Sequence, residues 1–78
     1  MTSIEKVKLI MAIDKRHHLA RIKTADGETY VCKLLGYAED EEDDAYDVIM
    51  YSDGKRRKKL GNFVLEMNFI ETIEELPA

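Results

Sequence analysis

Residues 19–38 read LARIKTADGETYVCKLLGYA, and the way this stretch folds constrains everything around it. LARIKT sets Leu19, Arg21 and Lys23 on one side of an extended chain and Ala20, Ile22 and Thr24 on the other, the period of two that marks a strand. Asp26-Gly27 follows as a turn signal, with glycine supplying the positive φ that a tight hairpin needs. TYVCKLLGYA then returns with Tyr30, Cys32 and Leu34 opposite Val31, Lys33 and Leu35, and Gly36 predicts a bend near the end of that strand.

Outward from this hairpin the same grammar continues. YDVIMYS (46–52) reads as a third strand, and DGKRRKK (53–59) as a second Asp-Gly turn with a charged flank. LGNFVLEMNFIETIEEL (60–76) supplies a fourth strand through Phe63 and Leu65 and a short fifth element around Ile70 to Ile73. Upstream, TSIEKVKLIMAIDKRHH (2–18) opens with a capping-box pattern, Thr2 followed by Glu5, and places Ile4, Val7, Ile10 and Met11 at helical spacing. The stretch also alternates as Val7, Leu9, Met11 and Ile13, a strand pattern. The cap and the strong helix formers favour a helix over residues 1–16. The expected fold is mainly β: an N-terminal helix, then a small, strongly bent five-stranded antiparallel barrel over residues 18–76. Without an internal repeat or a linker, residues 1–78 read as one domain.

Seventy-eight residues, 45% of them hydrophobic, allow a real but thin core. A single cysteine, Cys32, excludes an internal disulfide, and small secreted domains usually need several. No signal-peptide pattern opens the chain, so a reducing, cytoplasmic location is expected. The longest uncharged apolar run, Leu9 to Ile13, is far short of the roughly 20 residues that span a bilayer, so no membrane is expected as a partner. The net charge of −4 argues against broad attraction to polyanions. That charge is unevenly spread: six consecutive acids run from Glu39 to Asp44, and taking them from −4 leaves +2. Five consecutive bases, Lys55, Arg56, Arg57, Lys58 and Lys59, follow about ten residues later.

These pieces resemble the Sm-like proteins, the family that includes the bacterial Hfq group, from about Ala20 to Glu74. ARIKTADGETYVCKLLGY is similar to that family's first signature: an alternating strand, an Asp-Gly turn, a long bent strand and a Gly-aromatic exit. LGNFVLEMNFI is similar to the second, with Leu60, Gly61, Phe63, Val64, Leu65, Asn68 and Ile70 in place without a gap. The resemblance implies a small barrel that assembles by pairing edge strands around a ring. It does not carry over the family's RNA pocket. Glu66 and Met67 stand where Arg-Gly helps hold a uridine base, Ala38 and the acidic run replace an Asp-x-x-x-Asn element, and Cys32 stands where a strand-kinking glycine is common.

Lys55 to Lys59 form the candidate nucleic-acid surface. Bases that neutralise phosphates release counterions and give salt-sensitive, sequence-blind affinity. Stacking would need interleaved aromatics, and only Tyr51 and Phe63 flank the run at a distance. The competing reading is a solvated hairpin flank that protects an edge strand from aggregation. Glu39 to Asp44 lack the alternating ligands and turn glycine of a calcium loop, so a solvated loop is expected, or one that faces the basic loop of a neighbouring copy. His17 and His18 are adjacent and read as exposed residues at an element boundary. Cys32 reads as a small core hydrophobe. Asp26 and Asp53 read as turn residues. No spacing supports catalysis, a metal site or a cofactor.

Two strands are apolar on both faces, at Val48/Met50 against Ile49/Tyr51 and at Phe63/Leu65 against Val64. A small barrel has only one inside, so Ile49, Tyr51 and Val64 are expected at an oligomer interface or under the N-terminal helix. The functional expectation is a non-enzymatic, self-associating Sm-like barrel that contacts RNA weakly, at the backbone, through Lys55 to Lys59. The alternative is a protein-interaction module or scaffold on the same fold, with no nucleic-acid contact.

Overall fold

The computed structural model describes residues 1–39 and 44–77. Residues 40–43, the middle of the acidic run, lie outside the described residues, and so do the expectations that concern them.

The chain opens with helix α1, Ser3–Lys15. Its capping box closes in both directions: Glu5 N donates to Thr2 Oγ1 at 3.2 Å and Thr2 N donates to Glu5 Oε1 at 3.1 Å. Val7, Ile10 and Ile13 are its buried residues, the three-residue step of a helix face, while Met11 is 50% exposed. The strand reading of this segment would have buried Met11 instead. At the far end His18 N donates to Ile13 O and His17 N to Asp14 O, a Schellman closure that puts His17 at φ 58.

Five antiparallel strands follow: β1 Leu19–Thr24, β2 Thr29–Tyr37, β3 Ala45–Ser52, β4 Lys59–Glu66 and β5 Ile70–Leu76. β5 is longer than the Ile70–Ile73 element expected. The β1–β2 turn has Gly27 at φ 88 and the Thr24 hydroxyl donating to the Asp26 carboxylate, so Asp26 is a turn residue. In the sheet the strands lie in the order β4-β3-β2-β1-β5. The inner face carries Ala20, Ile22, Cys32, Leu34, Tyr46, Val48 and Leu65, packed with Val7, Ile10 and Ile13 of α1 into one core. Cys32 is fully buried there, and burial pushes its thiol up to about 12.

Two bulges bend the sheet. β2 pairs Leu34 with Val48 and then Gly36 with Asp47, so Leu35 is the extra residue where Gly36 predicted a bend. β4 pairs Gly61 with Met50 and Lys59 with Tyr51, so Leu60 is extra, and Gly61 takes φ 131. A flat five-stranded sheet would hold β4 and β5 about 19 Å apart, four spacings of ~4.8 Å. Only the 3-10 turn Met67–Phe69 joins them, and four residue steps reach at most about 14 Å. The sheet therefore curls. It does not close: β4 and β5 are its two edges, and among the described residues no ladder joins them. The closed barrel expected over residues 18–76 is thus an open, curled sheet. Phe63 of β4 and Phe69 of the connecting turn line a cavity beside the β4 edge.

Candidate interaction site on strand β4

β4 carries the sequence KLGNFVLE, with one charge at each end and none between. Phe63 and Leu65 point to the inner face, opposite Val48 and Tyr46; Asn62 and Val64 point to the outer face, opposite Ile49 and Asp47. A central strand would have all of these covered. On this free edge Leu60 stays 45% exposed, Phe63 47% and Val64 48%. The inner side of the edge opens into a cavity of about 330 Å³ lined by Tyr30, Met50, Leu60, Phe63, Leu65 and Phe69, among others.

The three residues expected at an interface share the outer face. Ile49 faces Asn62, Tyr51 faces Lys59 and Val64 faces Asp47 in the β3–β4 register, and Ile49 and Tyr51 are half-buried. Helix α1 packs on the opposite, inner face, so it does not cover them. Further along the outer face Val31 is fully buried outside the main core. Its cross-strand neighbour Arg21 extends over it: Nε donates to Asp53 Oδ2 at 3.1 Å and a terminal nitrogen donates to Glu74 Oε2 at 3.2 Å. Asp53 is therefore more than a turn residue, because it ties the β3–β4 hairpin to β1.

Lys55 to Lys58 lie in that hairpin and Lys59 begins β4; all five are exposed. Ser52 anchors the hairpin base, accepting from Lys58 N at 2.9 Å through its hydroxyl and donating its own N–H to Lys58 O at 2.9 Å. Among the described residues none of the five bases is in an ion pair. The flanking aromatics do not form a platform with them: Tyr51 lies on the outer face and Phe63 on the inner. Glu66, where the resemblance would want arginine, is exposed at the end of β4, and Met67 is fully buried at the start of the following turn.

One cluster had no sequence signal strong enough to find it. Arg16 Nε and a terminal nitrogen donate to the two oxygens of Glu75, each at 2.7 Å, and His18 Nδ1 lies 2.5 Å from Glu75 Oε2. His18 is thus half-buried and in hydrogen-bond contact with Glu75, not the exposed residue expected. Hydrogen bonds from Arg16 first and then His18 hold the Glu75 carboxyl down at about 2. With the Tyr46 hydroxyl donating to Asp14 at 2.5 Å and Lys6 Nζ donating to Met67 O at 3.0 Å, the cluster fastens α1 to the sheet. Among the described residues no three of His, Cys, Asp and Glu converge as metal ligands, and no helix is long and apolar enough to cross a membrane. No family model, curated protein or solved structure matches this chain.

Proposed function

We propose that this protein is a non-enzymatic interaction module, a small Sm-like barrel left open along one seam, that works by self-association through β4. The single observation behind this reading is the uncharged stretch Leu60–Val64 on a free strand edge, with Leu60, Phe63 and Val64 about half-exposed. Unpaired backbone groups and exposed apolar side chains in one strand make a template for another chain. The bent β2 and the curl forced by the short β4–β5 connection support the Sm-like reading. Sedimentation of the wild type at tens of micromolar should give a mass above one chain. Val64→Glu should move the particle towards monomer with its β content kept. A wild-type mass equal to one chain would overturn the reading.

A second reading is favoured by five exposed bases that form no ion pair among the described residues: weak, backbone-level contact with RNA through Lys55 to Lys59. Each phosphate contact on a single strand contributes about −0.7 to the log–log salt slope. At most two or three contacts are expected in a protein of net charge −4. Reversing Lys55, Arg56 and Arg57 to Glu should abolish RNA association with the fold intact. Failure of the wild type to bind RNA at low salt would remove RNA from the proposal and leave a pure protein-interaction module.

A further inference from the structure

The register of the sheet allows the partner of β4 to be named. We propose that β4 pairs antiparallel with β4 of a second copy, about a two-fold axis at Phe63, so that two sheets join into one. The inference rests on the self-association reading and adds its geometry.

In an antiparallel pair, directly opposed residues point to the same face, so a strand pairing with its own copy must place the axis at a residue. Centring on Phe63 opposes it to the partner's Phe63, sets Gly61 against the partner's Leu65 and sets Asn62 against the partner's Val64. The bulge then settles the ends. Along β3, Phe63 pairs with Val48, Glu66 with Ala45 and Lys59 with Tyr51. Lys59 and Glu66 thus stand equal numbers of ladder positions from the axis, because Leu60 is looped out of the register. On the outer face Lys59 meets the partner's Glu66, and Glu66 meets the partner's Lys59. Both residues are exposed, and among the described residues neither is in an ion pair. Moving the axis to Asn62 would set Lys59 against Val64 and leave Glu66 with no opposite residue. Charge complementarity therefore selects one register, and the same register buries the apolar centre.

The cavity of about 330 Å³ is lined by Phe63 and Leu60 of β4, and this pairing brings the partner's Phe63 and Leu60 alongside them on the inner face. The other edge, β5, is guarded. Its acids already hold partners within the chain: Glu71 with Lys23, Glu74 with Arg21 and Glu75 with Arg16. Charges on an edge strand discourage pairing, and β4 has none between its ends.

The test uses the whole chain. Lys59→Glu and Glu66→Lys, made separately, each place like charges opposite one another twice, and each should weaken the dimer about tenfold or more. Mixed in equal amounts, the two variants should recover a two-chain particle, because each then meets its complement at both ends. Independently, Phe63→Cys should cross-link to itself under mild oxidation. Opposed residues lie about 4.5–5.5 Å apart between Cα atoms, within disulfide reach. Asn62→Cys should not cross-link, because its copies are offset diagonally, and buried Cys32 does not compete. A wild-type mass of one chain would overturn both this inference and the self-association reading. A particle larger than two chains, a mixture that fails to recover, or equal cross-linking at positions 62 and 63 would overturn the β4–β4 geometry and leave self-association standing.

Discussion

Replacing Ile10 with alanine, and Met11 with alanine beside it, separates the two ways of reading the N-terminal segment. Ile10 is fully buried in the core cluster, and Met11 is 50% exposed. Ile→Ala removes three carbons at about 0.8 kcal/mol each. It also leaves a cavity, and such changes cost about 2–5 kcal/mol in all. Alanine is the better helix former by a few tenths of a kcal/mol, which offsets little. A net loss of about 3 kcal/mol is expected. The whole stability of a chain this size is about 4–12 kcal/mol at ~0.05–0.15 per residue. The midpoint should fall by about 12–24 °C at ~4–8 °C per kcal/mol. Met11→Ala should stay within about 0.5 kcal/mol of wild type, as surface changes do. The assay is urea unfolding for the free energy and a thermal melt for the midpoint, both followed by far-UV circular dichroism, with all proteins at one concentration so that any self-association contributes equally. A cost below about 1 kcal/mol for Ile10→Ala, or a larger one for Met11→Ala, would refute the helical packing of α1.

Gly61→Ala should destabilise by about 1 kcal/mol or more, because φ 131 is strained for any residue with a Cβ, while Gly36→Ala, at an unstrained and open position, should cost little; equal costs in urea titrations would contradict the bulge at Leu60. Glu75→Gln should alter the acid limb of the stability curve. The carboxyl is depressed to about 2 from an ordinary 4.5, so its contribution is complete above pH 4.5 and is lost as pH falls towards 2. The gap between wild type and variant should therefore close over that window, and a gap independent of pH would contradict the contact with Arg16 and His18. Cys32, with its thiol pushed up to about 12, should resist a thiol reagent at pH 8 until urea unfolds the chain; prompt labelling of the native protein would show that the inner face is open to solvent. U-rich and A-rich oligonucleotides should bind within tenfold of each other, about 1.4 kcal/mol, because Glu66 and Met67 stand where the Sm-like resemblance would place Arg-Gly; a stronger U preference would reveal a base pocket elsewhere.

Local signals carried the elements well. Thr2 and Glu5 marked the start of α1, Asp26-Gly27 the first turn, Gly36 the bend, and alternation the faces of β1 and β2, because each is settled by atoms within a few residues. The long-range features were not legible. Glu75 lies 59 residues from Arg16, and nothing in either neighbourhood announces the other. Val31 lies on the outer face but is buried, because Arg21 reaches across it to Asp53, and alternation alone gives it no cover. Closure failed as an expectation for a related reason. The strands were readable from local signals, apart from the full length of β5, whereas hydrogen bonding between β4 and β5 depends on how far two bulges and a three-residue turn curl the sheet.

That incomplete closure and the candidate site have one origin. A ladder between β4 and β5 would satisfy the β4 edge within the chain, cover Phe63 and fill the cavity beside it. Instead the chain turns through Met67, whose N–H donates to Asp44 O at 2.9 Å and whose carbonyl accepts from Lys6, so both sides of the turn are held while the seam stays apart. Phe69, half-exposed in that turn, lines the cavity beside Phe63. The free energy that closure would have supplied is left available at an edge with hydrogen-bonding groups, apolar side chains and one charge of each sign at its ends. In the proposed dimer, a second β4 gives those edge groups partners through the same interactions that build the rest of the sheet.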